Sequence, residues 1–184
     1  MARFAAAMVL VFGFALASAA EARQDDPRLD ALFERLLATA EPAEARGLEA
    51  LIWEIWTDSG DETLDALMVR GSLAMSLRDF DAALRSFDAI VEAAPDFAEG
   101  WNKRATLFYL ADRFSESVRD VERTLELEPR HFGALSGMGL ISMALGDEVA
   151  ALAWYERALV VNPHLPGANA SVRMLREKLR GRAI

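Results

Sequence analysis

The sequence predicts an all-α stack of helical hairpins, on three observations. Pro95, Pro129 and Pro163 fall 34 residues apart. Between them, apolar and small residues recur in one register at the three-to-four-residue spacing of helices. No cysteine occurs among the 184 residues, so neither disulfides nor cysteine-bound zinc can hold the chain. Stability must come from apolar packing, and a fixed period of this length supplies it by stacking each hairpin on the next.

Residues 1–22 read as an export signal. A short basic start, Met1-Ala2-Arg3, precedes an uncharged apolar run of 14 residues from Phe4 to Ala17. Small residues follow, with A-x-A cleavage sites at Ala17-Ser18-Ala19 and Ala20-Glu21-Ala22. A membrane span needs roughly 20 apolar residues, so cleavage is expected rather than retention as an anchor. The expected location is the periplasm. Cleavage removes one base, Arg3, and one acid, Glu21, so the net charge stays at −9. An acidic body argues against nucleic acid as partner, because phosphate binding needs a basic surface.

Residues 23–63 form a degenerate N-terminal helix pair. Phe33, Trp53 and Trp56 stand where the next unit has Leu67, Phe87 and Ile90, but Leu37 and Glu49 occupy columns that elsewhere are small. This pair is expected to close the end of the stack. Three regular units follow at 64–97, 98–131 and 132–165. Their columns are Leu67, Trp101 and Leu135; Gly71, Ala105 and Gly139; Ala83, Ser117 and Ala151; and Phe87, Val121 and Tyr155. Small residues let two helices approach while large ones fill the space beside them. Turns at Leu77-Arg78-Asp79, Ala111-Asp112-Arg113 and Leu145-Gly146-Asp147 separate the helices of each unit, with Asp79 and Asp147 as expected N-caps. Each proline ends a second helix, because it lacks the interior N–H. Residues 166–184 make a capping helix and a tail in which Arg173, Arg176, Lys178, Arg180 and Arg182 face one acid, Glu177. These cations suit a helix C-terminus and offer a weak contact with a membrane surface.

The combined columns resemble the tetratricopeptide repeat, and Trp101-Asn102-Lys103-Arg104-Ala105 resembles a common variant of its first helix. The resemblance implies a right-handed helical-hairpin solenoid whose first helices line a concave groove. Carried over by position, the groove stripe includes Met68, Ser72 and Met75, then Asn102, Lys103, Thr106 and Tyr109, then Ser136, Leu140 and Met143. Methionine adapts to varied apolar ligands, so the stripe implies a partner protein or peptide bound non-covalently, with Asn102 and the hydroxyls satisfying its backbone. Family members that clamp a C-terminal carboxylate place cations and Asn at positions that here hold Met68, Ser72, Lys103, Gly133 and Gly137, which argues against that mode.

Nothing in the sequence points to catalysis, a metal or a cofactor. His131 and His164 lie in inter-repeat turns and are expected to be solvated. The acidic loop Asp58-Ser59-Gly60-Asp61-Glu62 lacks the ordered ligand spacing of a calcium loop. Arg70 and Arg104 stand beside core columns, and each needs a carboxylate: Asp120 for Arg104, Asp88 for Arg70. The reading is a non-enzymatic protein-interaction scaffold, expected as a monomer. The alternative is a self-associating structural module of an envelope assembly, contacting through Trp53, Trp56 or the terminal helices.

Overall fold

The computed structural model describes residues 25–182, so the expected export signal at residues 1–22 lies outside the described residues. These hold nine helices and no strand. α1 (Arg28–Ala38) and α2 (Pro42–Thr57) form the first hairpin. Three further hairpins follow: α3 (Glu62–Ser76) with α4 (Phe80–Ala93), α5 (Ala98–Leu110) with α6 (Phe114–Leu127), and α7 (Phe132–Ala144) with α8 (Glu148–Val161). The last helix is α9 (Pro166–Arg182). None of the described helices is long and apolar enough to cross a membrane.

Each hairpin closes through size matching across its two helices. A Cβ on Gly71 would lie 2.6 Å from the Phe87 ring, and one on Gly139 would lie 2.7 Å from the Tyr155 ring. The middle unit exchanges both sizes together: Ala105 packs with Val121 in one core cluster. Ser117 adds a hydrogen bond there, its hydroxyl donating to the Ala105 carbonyl at 2.8 Å. The turns between helices use left-handed backbone at Arg78 (φ 61°), Asp112 (φ 56°) and Gly146 (φ 78°). The next helix then starts on a side-chain cap in two of the three units. Asp79 accepts from the Ala82 N–H at 3.0 Å and Asp147 from the Ala150 N–H at 2.9 Å.

Hairpins join by seating each first helix on the preceding second helix. Leu107 of α5 packs with Phe87 and Ile90 of α4, Ile141 of α7 with Val121 of α6, and Leu175 of α9 with Ala151 and Tyr155 of α8. Arg104 crosses one such joint. Its guanidinium donates to Asp120 on α6 at 2.7 and 2.9 Å and to Asp88 on α4 at 2.8 Å. It also lies over the Trp101 ring. The expected Arg104–Asp120 pair is therefore present. Arg70 differs from expectation: Asp88 is taken by Arg104, and the Arg70 Nε donates to the Ser86 hydroxyl at 3.2 Å.

The first hairpin does not close the end of the stack. Its apolar residues, including Phe33, Leu36, Ile52 and Trp56, cluster with Phe132, Val161 and Leu165 at the later inter-repeat turns. Three polar ties hold it there. Arg130 donates to Asp30 at 2.7 Å, Asn162 to Glu49 at 2.8 Å, and a His164 ring nitrogen lies 3.1 Å from the Leu36 carbonyl. Trp53 and Trp56 supply much of that seat, their indoles packing against Phe132 at ring distances of 5.4 and 5.0 Å.

Candidate functional site

The hairpin's seat is the inner face lined by first helices. A Cβ on Gly133 would lie 2.8 Å from the Trp53 ring, so α7 leaves a bare backbone where the indole rests. Beneath it lies a buried polar group that sequence reasoning missed. His131 is fully buried and stacks on Trp56 at 4.2 Å with the planes 11° apart. Its Nδ1 accepts from the Ala134 N–H at 3.1 Å, capping α7. That leaves the ring proton on Nε2, which donates to Glu99 Oε2 at 3.1 Å. Asn102 donates to the same oxygen at 2.8 Å, and Lys103 Nζ lies 3.2 Å from the other. Burial pushes the Glu99 carboxyl up, but the hydrogen bonds from His131 and Asn102 and the Lys103 charge outweigh it. The net direction is below the ordinary carboxylate value.

His131 is therefore not solvated as expected, whereas His164 is half-buried. The signal was present in the column Phe97, His131, Leu165, which is apolar at its other two positions and buried at Phe97 and His131. Trp56 is likewise buried inside the chain and supplies no outward contact for self-association, while Trp53 is half-buried against Phe132. The acidic loop before α3 is spent on local order. Asp61 accepts from the Thr63 and Leu64 N–H groups, which hold its pKa below the usual range, and Asp65 accepts from the Ser59 hydroxyl at 2.6 Å. In the basic tail, Arg176 pairs with Glu156 and Lys178 with Glu148.

Of the ten groove residues, five converge. Asn102, Thr106 and Tyr109 of α5 and Ser136 and Leu140 of α7 line one open pocket of about 130 Å³ beside the hairpin. Gly133 and Gly137 also line it; the Trp53 ring fills the side-chain space at Gly133, whereas Gly137 leaves its own open. That volume approaches the ~150 Å³ apolar cavity that accepts a benzene ring. Its wall is mostly apolar, with Leu140 exposed and Tyr109 half-buried against Phe114. Polar capacity inside it is partly used: Asn102 donates to Glu99, and the Thr106 hydroxyl donates to the Asn102 carbonyl at 2.9 Å.

The other five lie apart from this pocket. Met68 is buried in the first unit's core with Phe87 and Leu64, because α3 rotates it toward α4. Lys103 is tied to Glu99. Met75 packs half-buried on the first core cluster and Met143 on the last, and Ser72 lies half-buried on α3. The expectation of one continuous methionine stripe is corrected to a short pocket flanked on one side by the chain's own hairpin.

An open pocket between first helices, on a stack of hairpins, defines a helical-repeat scaffold of the interaction class. The chain belongs to the tetratricopeptide repeat family: the family's sequence profile matches residues 68–118 and 111–166. A tetratricopeptide-repeat-containing protein of Rhizobium etli is 40% identical over 154 residues, covering 84% of this chain and 76% of that protein. The Hsp70-Hsp90 organizing protein of Triticum aestivum is 29% identical over 108 residues, covering 59% of this chain but 19% of that longer protein. Among solved structures, the first TPR of Spaghetti (RPAP3) bound to an HSP90 peptide superposes with a TM-score of 0.61 at 21% identity, over 65% of this chain and 94% of that one. The Sgt2 TPR domain from Aspergillus fumigatus gives 0.62 at 18% identity, over 67% and 83%. At these identities the structures bear on the fold alone.

Proposed function

We propose that this chain is a non-enzymatic scaffold whose α5–α7 pocket captures one apolar side chain of a protein or peptide segment. The observation that carries the reading is the convergence of Asn102, Thr106, Tyr109, Ser136 and Leu140 on a single open space beside Gly137. The segment crosses Leu140 and Tyr109, with Met143 one turn further along α7 and Met75 at the far end of α3 as adaptable apolar margins. The Ser136 hydroxyl and the Asn102 side chain supply polar contacts to its backbone. Solved relatives bound to chaperone tails support a peptide ligand as a class. Here Gly133 and Gly137 stand where clamping members place cations, and Lys103 is neutralised by Glu99, so the ligand is recognised by an apolar anchor and not by a carboxylate.

Peptides selected from a random library on the purified chain test this. They are expected to share a bulky apolar residue. Gly137→Leu, which grows a side chain into the pocket, and Leu140→Asp should each weaken binding by roughly tenfold or more with the thermal melt nearly unchanged. Selected peptides that bind both variants as well as the parent would place the ligand elsewhere.

We further propose that residues 1–22 are an export leader and that the chain works in the periplasm. A basic start, a short apolar run and A-x-A sites support it. N-terminal sequencing of the chain isolated from cells is expected to begin at Ala20 or Arg23; a chain beginning at Met1 would refute cleavage.

A further inference from the structure

The joints between hairpins repeat one set of contacts, and the first unit carries that set with none of the described helices seated on it. In α5, α7 and α9 the residues that seat on the preceding second helix are Leu107, Ile141 and Leu175, exposed by 2%, 2% and 0%. Their counterpart in α3 is Leu73, which is 59% exposed. The small residue seven positions earlier is Gly100, Ala134 or Ala168 in those helices, each buried, and Ala66 in α3, which is exposed. Val69 and Leu77 extend the same stripe, at 70% and 72% exposure. The vacancy follows from the placement of α1 and α2, which lie in the groove instead of in front of α3.

We propose that this leading face of α3 pairs with the same face of a second copy, the two helices running antiparallel about a two-fold axis. The fit is self-complementary. With the axis beside residues 71 and 72, Ala66 of one copy faces Leu77 of the other, small against large, and Val69 faces Leu73. The helix is acidic at its start, Glu62 and Asp65, and basic just past its end, Arg78. An antiparallel pair therefore brings opposite charges together at both ends. Arg70, near the axis, turns its guanidinium to Ser86 on α4, which draws its charge off the shared face. Head-to-tail stacking fits less well, because the far end of the stack exposes Arg173, Glu177 and Arg180 on α9 where an apolar second-helix face would be required. The pairing stands independently of the pocket and departs from the monomer that the sequence suggests.

Light scattering on the purified chain over a concentration series tests it. The mass is expected to rise from one chain to two and stop. Leu73→Lys should move the midpoint at least tenfold higher without changing the helical circular dichroism, whereas Val160→Lys on α8 should leave it in place. The chain has no cysteine, so Ala66→Cys with Leu77→Cys reads the geometry directly. Those two positions are about 16 Å apart along one helix, too far for a disulfide within a chain, but opposed between antiparallel copies. Mild oxidation should give a covalent dimer. A mass of one chain throughout, association that Leu73→Lys leaves intact, or a dimer that does not cross-link would overturn the proposal. A monomer destabilised by Leu73→Lys would also overturn it and assign the face to a segment of the same chain.

Discussion

Replacing His131 with Ala is expected to lower the unfolding free energy by about 3–5 kcal/mol, the range for breaking a buried hydrogen-bonded pair and leaving one partner behind. The substitution removes the cap of α7, the Trp56 stack and one of the donors that keep Glu99 ionised in the interior. Urea unfolding followed by circular dichroism measures the loss. The partner residue gives the pH dependence. The folded-state value of Glu99 lies below its ordinary value, so the unfolded chain takes up the proton first. Its contribution is complete above about pH 4.3, the ordinary glutamate value, and disappears as pH falls through the lower folded value. Glu99→Gln is therefore expected to cost about 1.5–3 kcal/mol at neutral pH, with the gap to the parent closing on acidification. A gap that stayed constant with pH would mean that the buried carboxyl is not ionised.

Gly139→Val carries the second large effect. Its Cβ alone would sit 2.7 Å from the Tyr155 ring, which is itself buried between α7, α8 and α9. The ring has nowhere to retreat, so α7 and α8 must separate, at about 1–3 kcal/mol or more for overpacking a filled core. Gly137 is the control on the same helix. There the nearest atom to an added Cβ is Val121 Cγ2 at 3.9 Å, an ordinary contact. Gly137→Ala should stabilise by about 0.5–1 kcal/mol through the helix backbone. Thermal melts of the two variants moving in the same direction would contradict the size-matching account of the hairpins.

The two cases divide what was legible in the sequence from what was not. Gly139 could be read because the column Gly71, Ala105, Gly139 varies inversely with Phe87, Val121, Tyr155. Both columns belong to one hairpin, and a period of 34 residues aligns them without coordinates. His131 was misread because its neighbours in sequence are polar turn residues, while its neighbours in space, Trp53, Trp56 and Glu99, come from two other helices. One groove residue, Met68, departs from the expected stripe through packing that its own neighbours do not encode. Met68 meets the inner-stripe spacing, yet the rotation of α3 sends it into the core.

The sequence by itself determined the repeat, its register, the helix ends and the small–large pairing inside each hairpin, because these depend on contacts between residues a fixed distance apart along the chain. Only the tertiary structure decided where the first hairpin goes. That placement rests on contacts of Trp53 and Trp56 with His131 and Phe132, far away along the chain, and no local pattern encodes it. By placing α1 and α2 in the groove, the fold shortened the free inner face to the space between α5 and α7, buried His131 with Glu99, and left the Leu73 face of α3 exposed.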